Sequence, residues 1–368
     1  MQIVCDKNTL SQAVSNISRS VCSKSAITAL EGILIEAENG KVKFSAYNLE
    51  MGMTTSMEAA VKESGSIVLG AKIFFSMVSR LPAEQVEIKS DENLMTTIIS
   101  GPSEFSIMGL SPSEFPEMPS ITDGKSFNVP KFKLKAMIDQ TLFAVAQNDA
   151  KPVYTGSLFE TRDGELTVVS VDGYRLAMRR EKIDSDEELR FIVPGKTLSE
   201  VSKLIDDGEE DVSISFSRKH IVFSIDSYHV ISRLLDGEFL DYNATIPQGE
   251  KTTVIVDTRA FCDSIERTSL LINDRLKSPL SVKFEDNMIY LHCVTAMGKA
   301  SDSLGCEIQG ENVTIGFNNR YLLDALKGTG CDKVKLLLSG SLSPMKVVSL
   351  EDDSFLFLVL PVRLKSDL

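Results

Sequence analysis

Apolar residues at Leu10, Ala13, Val14, Ile17 and Val21 fall at i, i+3, i+4, i+7 and i+11, the spacing of one face of an α-helix. Leu134, Met137, Ile138 and Leu142 repeat the pattern at i, i+3, i+4 and i+8. These spacings predict amphipathic helices over residues 7–22 and 131–148, and a related segment predicts a third over 259–273. A second set is expected at 71–80, 195–206 and 318–327, about 123 residues apart each time. Between the helices the period drops to two. Segments 32–38 and 42–47 alternate around Asn39-Gly40, 156–162 and 166–171 around Asp163-Gly164, and 280–284 and 288–294 around Asp286-Asn287, so each pair predicts a β-hairpin. A self-similar period names the architecture. The expected fold class is α+β, with three similar domains at 1–122, 126–247 and 252–368, each made of two β-α-β-β-β units. Links at 120–125 and 248–252, after Pro119 and Pro247, separate them.

Charge changes this picture by being unevenly spread. The 368-residue chain carries 39 basic and 52 acidic residues, a net of −13, which speaks against a nucleic-acid coat or an anionic membrane surface. Counted with their flanks, over 6–24, 71–82, 130–148, 195–207, 257–275 and 318–328, the predicted helical segments nevertheless hold 15 basic against 10 acidic residues, a net of +5, which leaves −18 for everything else. Lys7, Arg19 and Lys24, then Lys72 and Arg80, Lys131, Lys133 and Lys135, Lys196 and Lys203, Arg259, Arg267 and Arg275, Arg320 and Lys327 supply the positive charge. Two readings fit: the helices line one positive surface, or their solvated faces are merely lysine-rich.

Candidate chemistry is sparse. The six cysteines are scattered without a CxxC pair, the start has no signal-peptide pattern, and the longest apolar run, 355–362, is far short of a membrane span. Reduced structural thiols and a cytosolic location are expected. His220, His229 and His292 have no matched metal ligands nearby, and His292 and Cys293, adjacent in a strand, are expected to point to opposite faces. Asp172 is expected to occupy an Asp-Gly turn and order Arg175. No phosphate loop, nucleophile elbow or zinc-protease string occurs, and the chain is expected to be non-catalytic, with no cofactor.

Five strings in order carry a resemblance: Ala46-Tyr-Asn-Leu-Glu-Met51, Tyr154-Thr-Gly-Ser-Leu-Phe-Glu160, Val171-Asp-Gly-Tyr-Arg-Leu-Ala177, Leu235-Asp-Gly-Glu-Phe-Leu-Asp-Tyr242 and Leu358-Val-Leu-Pro-Val-Arg-Leu364. With the three-fold repeat, they make the whole chain resemble the bacterial DNA polymerase III β subunits, the sliding clamps. The resemblance implies a head-to-tail homodimeric ring, helices lining the hole and sheets outside, encircling double-stranded DNA without reading sequence. It implies partners as well: a clamp loader, and the replicative polymerase and other proteins that carry a clamp-binding peptide.

Residue by residue, the resemblance carries DNA contact onto Lys24, Lys72 and Asn148, and the basic helix faces add Arg19 and Arg80. It carries a peptide pocket onto Tyr154, Val171, Gly173, Tyr174, Arg175, Leu176, Leu240, Ala244, Thr245, Leu358, Leu360, Pro361, Val362 and Arg363. Leu240, Ala244, Leu360 and Val362 depart from the commoner family residues, so a reshaped pocket with a less positive rim is expected. The resemblance also places Phe105, Leu270 and Leu271 at the ring joint. The competing reading is a scaffold of repeated α+β domains that never encircles DNA.

Overall fold

The computed structural model describes residues 1–121, 124–148, 150–185, 187–272 and 278–364. Six α-helices lie among them: α1 (Lys7–Ile17), α2 (Ala71–Val78), α3 (Lys131–Leu142), α4 (Gly195–Leu204), α5 (Thr258–Thr268) and α6 (Asn319–Gly328). Side-chain oxygens begin three of them. Asp6 accepts from the Thr9 amide at 2.8 Å, Asp257 from Ala260 at 2.7 Å and Asn318 from Arg320 at 3.0 Å, each satisfying an otherwise orphaned N–H.

The first five helices are shorter than predicted, and hydroxyls mark where three of them end. Ser18 donates to the Val14 carbonyl at 2.6 Å and Thr268 to Ser264 at 2.8 Å, and single 3-10 turns, Ser18–Ser20 and Ser269–Leu271, follow. In α3, Thr141 donates to the Met137 carbonyl at 2.7 Å one residue before the helix stops. Asn273, the last position of the third predicted helix, and Arg275 of the basic set lie outside the described residues.

Each repeat reads strand, helix, three strands, twice over, with the short strands Ala60–Glu63 and Glu307–Gly310 added in the first and third. The opening strand of each half pairs with the first of the three strands of the other half. Gln2–Asp6 lies beside Gln85–Ser90 and Gly65–Gly70 beside Gly32–Glu38, and the same exchange recurs in the second and third repeats. This exchange locks the two halves of a repeat together through backbone hydrogen bonds.

The chain forms two compact units, 1–132 with 199–234 and 133–198 with 235–368. In the first, an eight-stranded sheet continues from the first repeat into the second, because Met51–Glu58 pairs antiparallel with Tyr228–Arg233. A five-stranded sheet in the same unit ends on Ser103–Met108. Phe105 and Ile107 there pair with Ile98 and Thr96, both fully buried, yet stay half-exposed because, among the described residues, no strand pairs with their other side. In the second unit, a nine-stranded sheet continues from the second repeat into the third through the pairing of Arg175–Lys182 with Phe355–Val359. A four-stranded sheet there ends on Gly298–Gly305.

The expected stripes face the core. Leu10, Ala13, Val14 and Ile17 of α1 are buried, as are Leu134, Met137 and Ile138 of α3, while Leu142 is half-buried. One expected surface cation is instead an anchor. Lys131 is 2% exposed, and its ammonium donates to Asp226 at 2.8 Å, Asp206 at 3.1 Å and Glu210 at 3.3 Å. At the first position of α3 its side chain turns back to the hairpin and loop carboxylates, so it does not belong to a solvated helix face.

Candidate functional site

The residues expected to form a peptide pocket all fall in the second unit. Its floor is sheet. Val171 and Leu176 face each other across one strand pair and Leu176 and Leu358 across the next. All three belong to a buried apolar cluster with Leu158, Val169, Met178, Ile192, Phe239 and Tyr242. Tyr154 and Leu240 pack against its margin, half-buried, and the Tyr154 ring meets Phe239 edge-on at 5.6 Å. Tyr242 donates to Glu160 at 2.6 Å, and burial followed by that carboxylate pushes its phenol up to about 12, so it stays a neutral donor.

Around the floor lie exposed groups: Gly173, Tyr174, Ala244, Thr245, Leu360, Val362 and Arg363, with Pro361 half-buried. Thr245 is fixed by its hydroxyl on the Tyr242 carbonyl at 2.7 Å, and Ala244 donates its amide to Asp241 at 3.4 Å. The C-terminal segment is tied down through its backbone. Leu360 donates to the Tyr174 carbonyl at 3.0 Å and Val362 to the Gly316 carbonyl at 2.7 Å, which keeps Leu360 beside the 172–175 turn and Val362 beside Gly316.

That turn is built as the Asp-Gly motif requires. Asp172 accepts from the amides of Tyr174 at 2.8 Å and Arg175 at 3.1 Å, and Gly173 takes φ +91°, a conformation that disfavours any side chain. Arg175 is buried, and its guanidinium is held between two carboxylates and two rings. It donates to Asp172 at 3.0 Å and to Asp324 of α6, and lies 4.6 Å from the Tyr321 ring centroid and 5.6 Å from that of Phe143. Phe143, Tyr321 and Asp324 were not legible as site residues: Asp324 lies 149 positions from Arg175, and no period links them.

The nucleic-acid candidates divide between the units. Lys24, Lys72, Arg19 and Arg80 are exposed in the first. Arg19 donates to Asn16 at 2.7 Å and lies 3.9 Å from Glu200, and Arg80 bonds the Ser76 carbonyl at 2.8 Å. Asn148 is exposed in the second unit and accepts from the Ala150 amide at 3.4 Å. The joint candidates are similarly split. Phe105 sits on the sheet edge described above, whereas Leu270 is 81% exposed and Leu271 packs partly into the core of its own unit.

No nucleophile is assembled among the described residues. His292 is exposed and hydrogen-bonded to Ser301 at 2.8 Å, whereas Cys293 is buried and its thiol pushed up by burial. Burial likewise raises Cys262 and Cys306 to about 11, and raises Cys5, helped by Asp6, to about 12. Among the described residues no group of three His, Cys, Asp or Glu side chains could hold a metal, and no helix is long and apolar enough to cross a membrane.

Three family descriptions match the chain in succession: the N-terminal domain of the DNA polymerase III beta subunit over 1–119, its central domain over 128–241 and its C-terminal domain over 243–363. The chain belongs to the DNA polymerase III beta subunit family. The beta sliding clamp of Halalkalibacterium halodurans is 33% identical over 378 aligned positions, covering 99% of this chain and all of that protein. The crystal structure of the Bacillus subtilis DNA polymerase sliding clamp superposes with a TM-score of 0.95 at 31% identity, over 99% of this chain and 100% of that one. The Pseudomonas aeruginosa subunit beta gives 0.93 at 26% identity with the same coverage. As a sliding clamp the chain is a replication processivity factor with the three-domain α+β clamp fold; it does not itself catalyse synthesis.

Proposed function

We propose that two copies of this chain close head to tail into a ring that encircles duplex DNA and tethers the replicative polymerase and other peptide-bearing partners. The sheet order carries the reading. Within the chain, the last strand of a repeat's second half pairs with the last strand of the preceding repeat's first half: Tyr228–Arg233 with Met51–Glu58, and Phe355–Val359 with Arg175–Lys182. The rule leaves two ends unmatched, Ser103–Met108 of the first repeat and Gly298–Gly305 of the third. A second copy supplies each with its missing partner, covering Phe105 and drawing Leu270 and Leu271 into the joint. A head-to-tail contact of this kind must either close or grow into a filament. Two chains of three domains, with boundaries at 1–122, 126–247 and 252–368, close it. An ATP-driven loader opens one joint to admit DNA.

Lys24, Lys72, Arg19, Arg80 and Asn148 contact DNA phosphates without base readout, and the acidic remainder of the chain discourages binding elsewhere. The Tyr154–Leu176–Leu358 surface takes an extended partner peptide through apolar anchors. The replication role supports a location in the cytosol, alongside the chromosome. Light scattering across a dilution series is expected to give twice 40.4 kDa for the wild type and one chain for Leu270→Glu. Leu270 is the better probe of the joint because Leu271 also contributes to the core. Loaded wild type should be retained on closed circular DNA and lost after linearisation; equal retention on both would favour the scaffold reading. Lys24→Ala with Lys72→Ala should lower loading and flatten its salt dependence by about two phosphate contacts.

A further inference from the structure

The Arg175 side chain is placed where it cannot face a peptide. The residue is 7% exposed, and its guanidinium is enclosed by Asp172, Asp324, Tyr321 and Phe143. Tyr174, the preceding residue, is 61% exposed, yet its ring is stacked on Tyr321 at 5.8 Å with the planes 23° apart. Its carbonyl also holds Leu360. Tyr174 is therefore an exposed aromatic rim whose backbone is held by its own turn and whose ring is held from α6.

We infer that Asp324 is a positioning residue of the peptide pocket: by fixing Arg175 between Tyr321 and Phe143, it holds Tyr174 in place before any partner arrives. The inference rests on the reading of this surface as a peptide pocket. A preformed rim spares the ordering cost that a mobile tyrosine would impose on binding. Removing the Asp324 carboxylate leaves a buried guanidinium with Asp172 as its one acidic partner, and the 172–175 turn loses its ion pair to α6, leaving only the Tyr321 ring contacts to hold it there. Asp324→Ala is expected to weaken binding by about threefold to tenfold, the cost of immobilising one side chain again. Asp324→Glu should restore most of it.

The chain contains no tryptophan, so Tyr174→Trp introduces a single fluorophore at the rim. In that background Asp324→Ala should red-shift the emission and increase acrylamide quenching, while Asp324→Glu should not. The companion measurement is fluorescence polarisation of a fluorescein-labelled extended peptide with Leu and Phe as its apolar anchors, on the otherwise wild-type chain, at two salt concentrations, with circular dichroism to check folding. Weaker binding at both salts, more quenching in Asp324→Ala and rescue by Asp324→Glu would support the inference. Unchanged quenching, or unchanged affinity in a wild type that binds the peptide, would overturn it. If Asp324→Ala does not fold, Asp324→Asn takes its place under the same criteria. No binding by the wild type at any concentration would instead defeat the pocket reading, and quenching in the Tyr174→Trp background alone would then decide whether Asp324 positions the rim.

Discussion

Phe357→Ala is expected to cost about 3–5 kcal/mol of unfolding free energy, as for other fully buried aromatics truncated to alanine. Phe357 is completely buried, with its ring edge-on to Phe143 at 5.2 Å and stacked on Phe355 at 4.8 Å. Its strand pairs on one side with Arg175–Lys182 and on the other with Met345–Val348, so the cavity would open where the second repeat's strands meet the third's. The loss should reach the peptide surface too, because Leu358 and the backbone anchor of Leu360 follow directly. Urea titration by circular dichroism measures it. A loss below about 1 kcal/mol would mean that the site collapses freely and that this join is not tightly packed.

Lys131→Met should lower stability by about 2 kcal/mol at neutral pH, less than for a fully buried ion pair because the three carboxylates keep much of their hydration. The deficit should depend on pH in a definite way. Asp206 is held below the usual carboxylate range first by Lys131, and Glu210 first by a backbone amide and then by Lys131. Groups with depressed values stabilise the fold above their unfolded pKa, and that contribution disappears as pH falls through the folded value. Lys131 is shifted upward, chiefly by Asp226 against the opposing effect of burial. Its contribution is full below the unfolded lysine value and disappears as pH rises through the folded one. The difference between wild type and mutant should therefore be flat from about pH 5 to pH 10 and narrow on both sides. Thermal melts extended beyond both ends of that range, from about pH 2 to about pH 12, check it, and a difference independent of pH throughout would show that Lys131 acts by packing alone.

Both sites show how unevenly the molecule could be read from its residues. Local periodicity carried the helix faces: Leu10, Val14 and Ile17, or Leu134 and Ile138, are buried because a 3.6-residue period leaves them no other face. Asn-Gly and Asp-Gly pairs marked the first two hairpins for a comparable local reason, since few other residues adopt the positive φ seen at Asn39, Gly40, Asp163 and Gly164. Even the Asp172 turn was legible, because an Asx turn is satisfied within three residues.

What escaped the linear reading depends on contacts far apart in the chain. Lys131 looked like any other helix-face lysine, and only the approach of Asp206, Glu210 and Asp226, 75 to 95 positions away, made it an anchor. The cage around Arg175 draws on Phe143 and α6, and the strand exchange within each repeat, like the sheet continuing into the next, has no signature in composition or period. By itself the sequence determined the repeat, the secondary structure and the family, because these rest on spacings within some ten residues and on strings that recur in order. The tertiary structure alone decided which charges are spent internally, which edges stay open and which side chains hold the pocket rim, because burial and pairing are set by whatever long-range packing brings alongside.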